Sequence, residues 1–190
     1  MDNNFKDIFK KFRFLKLSDL LFLFKISSFK SFEKDQIIAE KGKLCNEVYF
    51  IRKGIIRTYI LTTEGKERTT RIALEKDFTT CASSFIKNKP SEEYLYTVED
   101  CKVIAFNIAK LNEEAITNAR ISRMLHEFLK EAFMEAVYRI EFFTTLSPEQ
   151  RYTKLLEESP ELIQRVPQKF LASFLGVTIV SLSRIRSRIV

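Results

Sequence analysis

The residues whose spacing could perform chemistry lie near the end of the chain. Within residues 168–185, Ala172 is followed four positions later by Gly176, the only glycine after residue 65. Two closely crossing helices need a small residue at their contact, and the tight turn between them needs a left-handed backbone that glycine adopts without strain. Apolar residues fall at the inward-facing positions Leu171, Leu175, Val177, Leu182 and Ile185. This segment therefore predicts a helix-turn-helix.

The charges around this segment favour a polyanionic partner. From Arg165 to the C-terminus there are five basic residues and no acidic residue. Thr178 stands where its side chain can cap the second helix. Such a helix pair suits the phosphate backbone of a nucleic acid, although an ordinary helical hairpin with a solvated basic face has the same composition.

A long helix is predicted over residues 117–145, which contain no Gly or Pro. Apolar residues step along it by four and three positions in turn, the spacing of a coiled-coil-like seam. The seam residues are Leu129, Phe133, Ala136, Ile140 and Phe143. A neighbouring stripe consists of Ile121, Leu125, Phe128 and Ala132. We expect one stripe to pack on the chain's own sheet and the seam to form a homodimer contact, the alternative being a solvated seam.

Between about residues 31 and 107 the apolar period changes towards two, which indicates strands. Short runs rich in β-branched and aromatic residues lie at 48–51, 55–61, 68–74 and 103–106. Several short strands at close spacing predict an antiparallel sandwich, barrel or jelly roll. Residues 1 to about 30 have helical spacing, and Ser18 is predicted to cap a short second helix.

These patterns predict an α+β fold with three parts. Residues 1–116 hold N-terminal helices and an antiparallel β-roll or jelly roll, 117–145 the dimerisation helix, and 146–190 a helical domain with the helix-turn-helix. The last part opens with the sequence Ser-Pro-Glu-Gln at 147–150. Ser at the N-cap, Pro at the first helical position and Gln at the third are each favoured at a helix start.

Composition argues against several classes of protein. The 190 residues carry a net charge of +7, which permits a polyanionic partner without requiring one. Three scattered cysteines and one histidine, His126, provide no disulfide framework and no common metal motif, so we expect no metal and no cofactor. A cupin-like enzyme would need metal ligands on adjacent strands, and the β-region contains no histidine. With no membrane span or signal peptide in the sequence, we expect a cytoplasmic non-enzyme.

The order of these parts resembles a known family, the Crp/Fnr transcription regulators. Four strings carry the resemblance over nearly the whole chain: VYFIRKG at 48–54, GKE at 65–67, EQRY at 149–152 and LSRIR at 182–186. They are similar to the branch common in Bacteroidetes-type bacteria. The resemblance implies a cyclic-nucleotide-binding-like β-roll, a dimerisation helix and DNA binding by the second helix of the motif. A two-fold dimer would bind a DNA duplex that contains an inverted repeat.

The resemblance also assigns residues to DNA binding. It places Ile179, Val180 and Arg184 at base edges, with Thr178 and Ser181 near phosphates. The predicted set is completed by Gln168, Lys169, Arg186 and Arg188. Better-known members carry a basic and an acidic residue in place of Ile179 and Val180, so we expect a different DNA site, with Arg184 on a guanine. No β-wing follows the recognition helix, and the alternative is a small-molecule-sensing or interaction module of this fold that no longer binds DNA.

The effector site departs further from the family. In its cyclic nucleotide binders, a Gly-Glu pair opens a phosphate-binding helix and an Arg-Ser pair clamps the phosphate. The corresponding positions and their neighbours define the candidate effector pocket: Thr80, Cys81, Ala82, Ser83, Ser91 and Glu92. Because the arginine is missing and acidic residues stand nearby, we expect neither cyclic AMP nor cyclic GMP to bind. The β-roll then either binds another, unidentified small molecule or is purely structural.

The metal-dependent sensors of the family do not match this sequence. No cysteine precedes Cys45, where an N-terminal iron–sulfur ligand set would lie, and His126 is a lone histidine on the long helix. Cys81 is either a redox-active thiol or a buried inert cysteine. No basic residue lies next to it in the sequence, which favours the inert form.

Overall fold

The computed structural model describes residues 6–189. The helices are α1 (Lys6–Lys11), α2 (Leu17–Lys25), α3 (Ala82–Lys87), α4 (Ile108–Thr117), α5 (Ala119–Thr145), α6 (Pro148–Glu158), α7 (Pro160–Arg165), α8 (Gln168–Leu175) and α9 (Ile179–Ile189). The strands are β1 (Ser27–Phe32), β2 (Ile37–Ala39), β3 (Glu47–Lys53), β4 (Ile56–Leu61), β5 (Glu67–Ala73), β6 (Phe78–Thr79), β7 (Tyr94–Thr97) and β8 (Cys101–Asn107). Helices thus flank a β-region, which confirms the predicted α+β class.

The strands form two four-stranded sheets with the orders β1-β8-β3-β6 and β2-β7-β4-β5. In the first sheet all pairings are antiparallel, and β3 lies between β8 and β6, with Tyr49 opposite Ala105 on one side and Thr79 on the other. Apart from the β4–β5 hairpin, neighbouring strands come from distant parts of the sequence, as in a jelly roll. The predicted β-roll is therefore present.

Strand β3 is buried on both faces, which explains its continuous apolar run. Val48 and Phe50 join a cluster that packs the N-terminal helices, α4 and the start of α5 against the first sheet. The alternate residues Tyr49 and Ile51 join a second cluster between the sheets. The period of two along the strand thus divides its side chains between two cores.

The chain separates into two compact units. One consists of Met1–Thr58 with Ile72–Leu129, and the other of Tyr59–Arg71 with Lys130–Val190. The second unit therefore joins the far part of the β4–β5 hairpin to most of α5 and to all the C-terminal helices.

Two sequence predictions near the N-terminus are wrong. Residues 27–30 are the start of strand β1 and not the end of a helical region. Helix α2 begins at Leu17, so Ser18 lies inside the helix and does not cap it. Asp19 caps the helix instead, because its carboxylate accepts the Lys16 N–H at 2.8 Å.

The Asp19 carboxylate also explains where α5 begins. It accepts bonds from Arg120 at 2.6 and 3.0 Å and from the Asn118 side chain at 3.0 Å. The bonds from Arg120, with those from Asn118 and the Lys16 amide, hold the pKa of Asp19 far below its usual range despite burial. Asn118 has an extended backbone and separates α4 from α5, so the long helix begins at Ala119 and not at Thr117.

Candidate nucleic-acid interface and effector site

Helices α8 and α9 form the predicted helix-turn-helix, with a 91° bend between them. Gly176 ends α8 with a left-handed backbone at φ +70°, and the Val177 N–H bonds to the Ala172 carbonyl at 2.9 Å. This is the hydrogen bond of a Schellman cap. A Cβ at Gly176 would lie 2.7 Å from Phe143 Cε1, so the position has no room for a side chain.

The inward-facing residues of the motif are buried as the sequence predicted. They are Leu171, Ala172, Leu175, Leu182 and Ile185, while Val177 is half-buried. Among the described residues, no single helix is long and apolar enough to cross a membrane; α8 and α9 meet that standard only when they are combined across their bend.

The start of α9 is capped by Thr178, as predicted. Its Oγ1 accepts the Ser181 N–H at 3.0 Å and lies 2.9 Å from Ser181 Oγ. One face of α9 is then buried through Leu182 and Ile185. On the opposite face, Val180, Arg184 and Arg188 follow one another at four-residue intervals and are exposed.

The side chains predicted to contact DNA differ in their surroundings. Ile179 and Val180 are more than half exposed, which is unusual for branched aliphatic residues in a helix. Gln168, Lys169, Ser181 and Arg184 are also exposed, and Arg186 is half-buried. Arg188 already has a partner, since its Nη1 donates to Glu149 Oε1 of α6 at 2.8 Å. Both members of that pair are exposed, so it contributes little to stability.

Helix α6 and the end of α5 support the motif. Ser147 and Gln150 form the predicted capping box at the start of α6, with bonds of 3.3 and 2.8 Å. Arg139 donates to the Phe174 carbonyl at 3.0 Å, and its guanidinium lies 4.0 Å from the centre of the Phe174 ring and 4.6 Å from that of Phe143. Burial lowers the pKa of Arg139 to about 10. No sequence pattern predicts this role of Arg139, since its hydrogen-bond partner Phe174 lies 35 positions away.

The β4–β5 hairpin contacts the same helices within the second unit. Ser173 of α8 accepts the Thr69 N–H at 2.9 Å and donates to the Glu67 carbonyl at 3.1 Å. Arg71 of β5 is paired with Glu135 of α5 at 2.7 Å. These bonds link the β4–β5 hairpin to α8 and to α5, and sequence patterns do not predict them.

The two apolar stripes of α5 have different environments. Ile121 is buried, and Leu125 and Phe128 pack against the first core cluster, as expected for the stripe that covers the chain's own sheet. The seam residues Leu129, Phe133, Ala136, Ile140 and Phe143 are all exposed. The single chain therefore leaves a line of apolar side chains uncovered along α5.

The candidate effector pocket surrounds the start of α3. Cys81 occupies the N-cap position, and Ala82 and Ser83 form the first turn. The Ala82 N–H, which a bound phosphate would approach, donates to Glu93 Oε2 at 3.0 Å. Ser91 is buried and holds the Glu93 backbone, donating to its carbonyl at 2.7 Å and accepting its N–H at 2.9 Å.

The structure does not bring Glu92 into this group. Glu92 is exposed and forms an ion pair with Lys41 at 3.0 Å. Thr80 also points elsewhere, because its hydroxyl donates to the Glu47 carbonyl at 2.9 Å. The acidic group at the helix start is therefore Glu93, which the sequence could not distinguish from its neighbour. The anion position of α3 is filled by the chain's own carboxylate.

Comparison with known proteins identifies a matching domain family and a curated relative. Residues 29–118 match the cyclic nucleotide-binding domain family. The Anaerobic regulatory protein of Bacillus subtilis (strain 168) is 30% identical over 105 residues, which are 55% of this chain and 43% of that protein. This match thus spans less than half the length of the curated relative.

Similar solved structures cover nearly the whole chain. FixK2 from Bradyrhizobium japonicum matches with a TM-score of 0.75 at 20% identity, over 86% of this chain and 84% of that one. A regulator assigned to the Crp/Fnr family from Eubacterium rectale matches with a TM-score of 0.73 at 18% identity, over 91% and 82%. At these identities the likeness establishes the fold, and it confirms the resemblance stated from the sequence.

Proposed function

We propose that this chain, which has the fold of the Crp/Fnr regulators and a cyclic-nucleotide-binding-type domain at residues 29–118, is a homodimeric, DNA-binding transcription regulator. We further propose that it acts in the cytoplasm, that it is not an enzyme and that its sensor domain does not respond to cyclic AMP. The observation that carries the proposal is the exposed face of α9, which is capped by Thr178 and basic, with Arg188 paired to Glu149.

The chemistry of this face suits DNA. The first turn of α9 presents free backbone N–H groups, and such a helix start is a favourable position for a phosphate. Arg184 extends from the exposed face one turn further on, where a guanidinium could bond to both acceptors of a guanine. Ile179 and Val180 offer only apolar contact, which suits a thymine methyl group. The role of each side chain follows from its chemistry and its exposure.

The proposed dimer rests on the uncovered seam of α5. Phe133 and Ile140 are each about two-thirds exposed, at 67% and 64%, and stand seven residues apart on one face. A second copy related by a two-fold axis would cover the same residues on both helices. It would also present two α9 helices, so the target is expected to be an inverted repeat with half-sites about one helical turn apart.

Selection of binding sites from random duplexes by the full chain tests this function. We expect enrichment of an inverted repeat, and binding of the selected duplex should weaken steeply as salt rises because phosphate contacts release counterions. Arg184→Ala should reduce the preference for one base pair in each half-site. Lys110→Ala, which removes an exposed charge from α4, is the matched control and should leave selectivity unchanged.

The absence of any duplex complex at low salt would overturn the proposal. In that case the chain would be a sensing or interaction module of the same fold. A complex that forms but shows no sequence preference would retain the nucleic-acid partner and remove the proposed base-reading roles of Ile179, Val180 and Arg184.

A further inference from the structure

Two of the three cysteines lie side by side at the start of α3. Strands β3 and β6 are antiparallel with Tyr49 opposite Thr79, so the chain before β3 meets the chain after β6. One residue beyond β6, the Thr80 hydroxyl donates to the Glu47 carbonyl at 2.9 Å, so the two segments remain in contact there. As a result Cys45, whose Sγ lies 3.8 Å from Thr80 Oγ1 and whose N–H donates to Ser84 Oγ at 3.1 Å, lies beside Cys81 in the core cluster between the sheets, although the two are 36 positions apart in the sequence.

The two sulfur atoms have different surroundings. Cys45 Sγ lies 3.4 Å from the Glu47 carbonyl oxygen and 3.8 Å from Thr80 Oγ1. The bond from the Cys81 thiol, helped by the Cys81 backbone N–H, lowers the pKa of Cys45 to about 6 against the effect of burial. The same contact, together with burial, raises the pKa of Cys81. The two shifts run in opposite directions, which favours Cys45 as the sulfur that loses its proton first.

Only one of the two sulfur atoms has a route from solvent. Cys45 lines a surface groove between β2 and the start of β3, whose other walls include Lys43, Glu47 and Asn107. Cys45 itself is 6% exposed, whereas the side chain of Cys81 has no exposed surface, and both belong to the core cluster between the sheets. Cys101 is buried without a thiol partner among the described residues; its Sγ bonds to the carbonyls of Ile55 and Glu99, and burial raises its pKa to about 11.

We propose that Cys45 and Cys81 form a thiol pair that reacts with hydroperoxides and closes to a disulfide. The Cys45 thiolate attacks the peroxide O–O bond and forms a sulfenic acid, while the leaving oxygen takes a proton and departs as water or an alcohol. Cys81 sulfur then attacks Cys45 Sγ, its proton passes to the leaving hydroxide, and a second molecule of water departs. Overall two thiols and one hydrogen peroxide give one disulfide and two waters. A dithiol reductant reverses the reaction.

The disulfide would act on the candidate effector site directly. Cys81 is the N-cap residue of α3, and the Cys45 N–H donates to Ser84 Oγ in the same helix at 3.1 Å. Closing the pair would tie α3 covalently to the chain before β3. That this modification is a signal rests on the proposed regulatory function, whereas the chemistry of the pair does not.

Mass mapping of the full chain tests the pair without reference to DNA. The reduced protein is treated with equimolar hydrogen peroxide, quenched in N-ethylmaleimide under denaturing conditions and digested with trypsin. The three cysteines fall on separate peptides, residues 44–52, 77–87 and 88–102. We expect a cross-linked species of the first two peptides, two hydrogens lighter than their sum, and a fully alkylated third peptide.

Variants separate the roles of the two sulfur atoms. Cys81→Ser should accumulate a sulfenic acid at Cys45 that dimedone captures, whereas Cys45→Ser should leave Cys81 reduced. Cys101→Ser is the matched control and should form the disulfide at the rate of the unchanged protein. In the unchanged protein, iodoacetamide at neutral pH should label Cys45 about tenfold faster than Cys101 or more, because only the thiolate reacts.

Three results would overturn the proposed reaction of Cys45 and Cys81: no cross-link after an excess of peroxide, equal oxidation of all three cysteines, or a disulfide that includes Cys101. The unchanged protein alone gives these results, so they do not depend on the folding of any variant. If the protein fails to bind DNA but forms the cross-link, the proposed function is wrong and the thiol pair stands.

Discussion

Helices α3 and α9 each begin at a position where an anion could be held, and they differ in what already lies there. At α3 the Ala82 N–H is bonded to the Glu93 carboxylate, and the Cys45–Cys81 pair packs behind it. At α9 Thr178 caps one amide, and the rest of the first turn faces solvent beside exposed Ile179 and Val180. The start of α3 is closed, in that the Glu93 carboxylate of the chain itself is bonded there, whereas the start of α9 is open to solvent.

The difference separates a helix start where we propose that no cyclic nucleotide binds, at α3, from one where we propose that DNA binds, at α9. A carboxylate fixed on a helix start satisfies the backbone amide, so an incoming phosphate gains nothing there and meets a like charge. At α9 no acidic residue follows Arg165 in the sequence, although Glu149 of α6 pairs with Arg188 near the end of the helix. The start of α3 therefore carries a carboxylate where an anion would bind, whereas α9 carries exposed basic side chains, as the proposed function requires.

The largest expected effect concerns the closed start. Neither cyclic AMP nor cyclic GMP should bind, because the clamping arginine is missing and Glu93 occupies the amide. A lost charge-assisted bond costs about 1.5–3 kcal/mol and a nearby carboxylate adds repulsion. A micromolar ligand would be weakened by two to four decades, about 3–5 kcal/mol. Calorimetric titration measures this directly.

A low-micromolar dissociation constant for cyclic AMP would contradict the prediction that the start of α3 cannot bind a cyclic nucleotide. Lys87 and Lys89 are exposed at the end of α3 and just beyond it, and either could supply the missing cation. Loss of such binding in Lys87→Ala or Lys89→Ala would identify the rescuing side chain.

The second prediction concerns the proposed dimer, which would present two copies of α9 to DNA. Ala136→Glu places two carboxylates against each other at the centre of the apolar seam, and burying unpaired charge costs several kcal/mol. We expect the dimer dissociation constant to rise about 100-fold or more, equivalent to about 3 kcal/mol. Met134→Glu changes an exposed methionine of α5 outside the seam and should leave the dimer intact. Sedimentation of Ala136→Glu as a micromolar dimer would remove the seam from the interface.

The third prediction concerns the turn that orients α9. Gly176→Ala should lower the free energy of unfolding by about 2–3 kcal/mol, from a left-handed alanine plus the contact with Phe143. Gly65→Ala is the matched control, since its φ of +74° is similar and no atom lies within 4 Å of the added Cβ. Urea unfolding of both variants should show the smaller loss at Gly65. Equal losses would mean that the Phe143 ring moves aside without cost.

The sequence predicted the features that depend on neighbours along the chain. The Schellman turn at Gly176 and the capping box of Ser147 and Gln150 each need residues within five positions of one another. The continuous apolar run of β3 was visible for the same reason. The fold class, the helix-turn-helix and the long helix all follow from such local patterns.

The sequence did not predict features that join distant segments. Glu93 reaches the start of α3 from 11 positions away, and the choice between it and Glu92 depends on how buried Ser91 holds the backbone. Strand β1 was missed because its apolar residues, Phe29 and Phe32, are few and its residues pair with β8 residues 69 to 79 positions away. Long-range pairing leaves no periodic signal in the segments that it joins.

The fourth prediction separates the roles of Arg184 and Arg188 of α9 in the proposed DNA binding. Arg184→Ala should cost about 1–3 kcal/mol on the selected duplex and relax one base preference. Arg188→Ala should weaken all duplexes alike and flatten the salt dependence, with a smaller effect because Arg188 must first leave Glu149. Binding of each variant to selected and random duplexes at several salt concentrations distinguishes the two. Equal losses on both duplexes for both variants would refute this division of roles.

The smallest expected effects compare the two caps themselves. Thr178→Ala and Glu93→Ala each remove one side-chain acceptor from a helix start, and each should lower the free energy of unfolding by about 1 kcal/mol. Their effects on binding should differ. Thr178→Ala loosens the turn that would face a phosphate, so duplex affinity should fall several-fold. Glu93→Ala frees the Ala82 amide but restores no cation, so cyclic AMP should still fail to bind and duplex affinity should not change. Binding of cyclic AMP by Glu93→Ala would mean that the carboxylate alone closes the site and that the missing arginine is not needed.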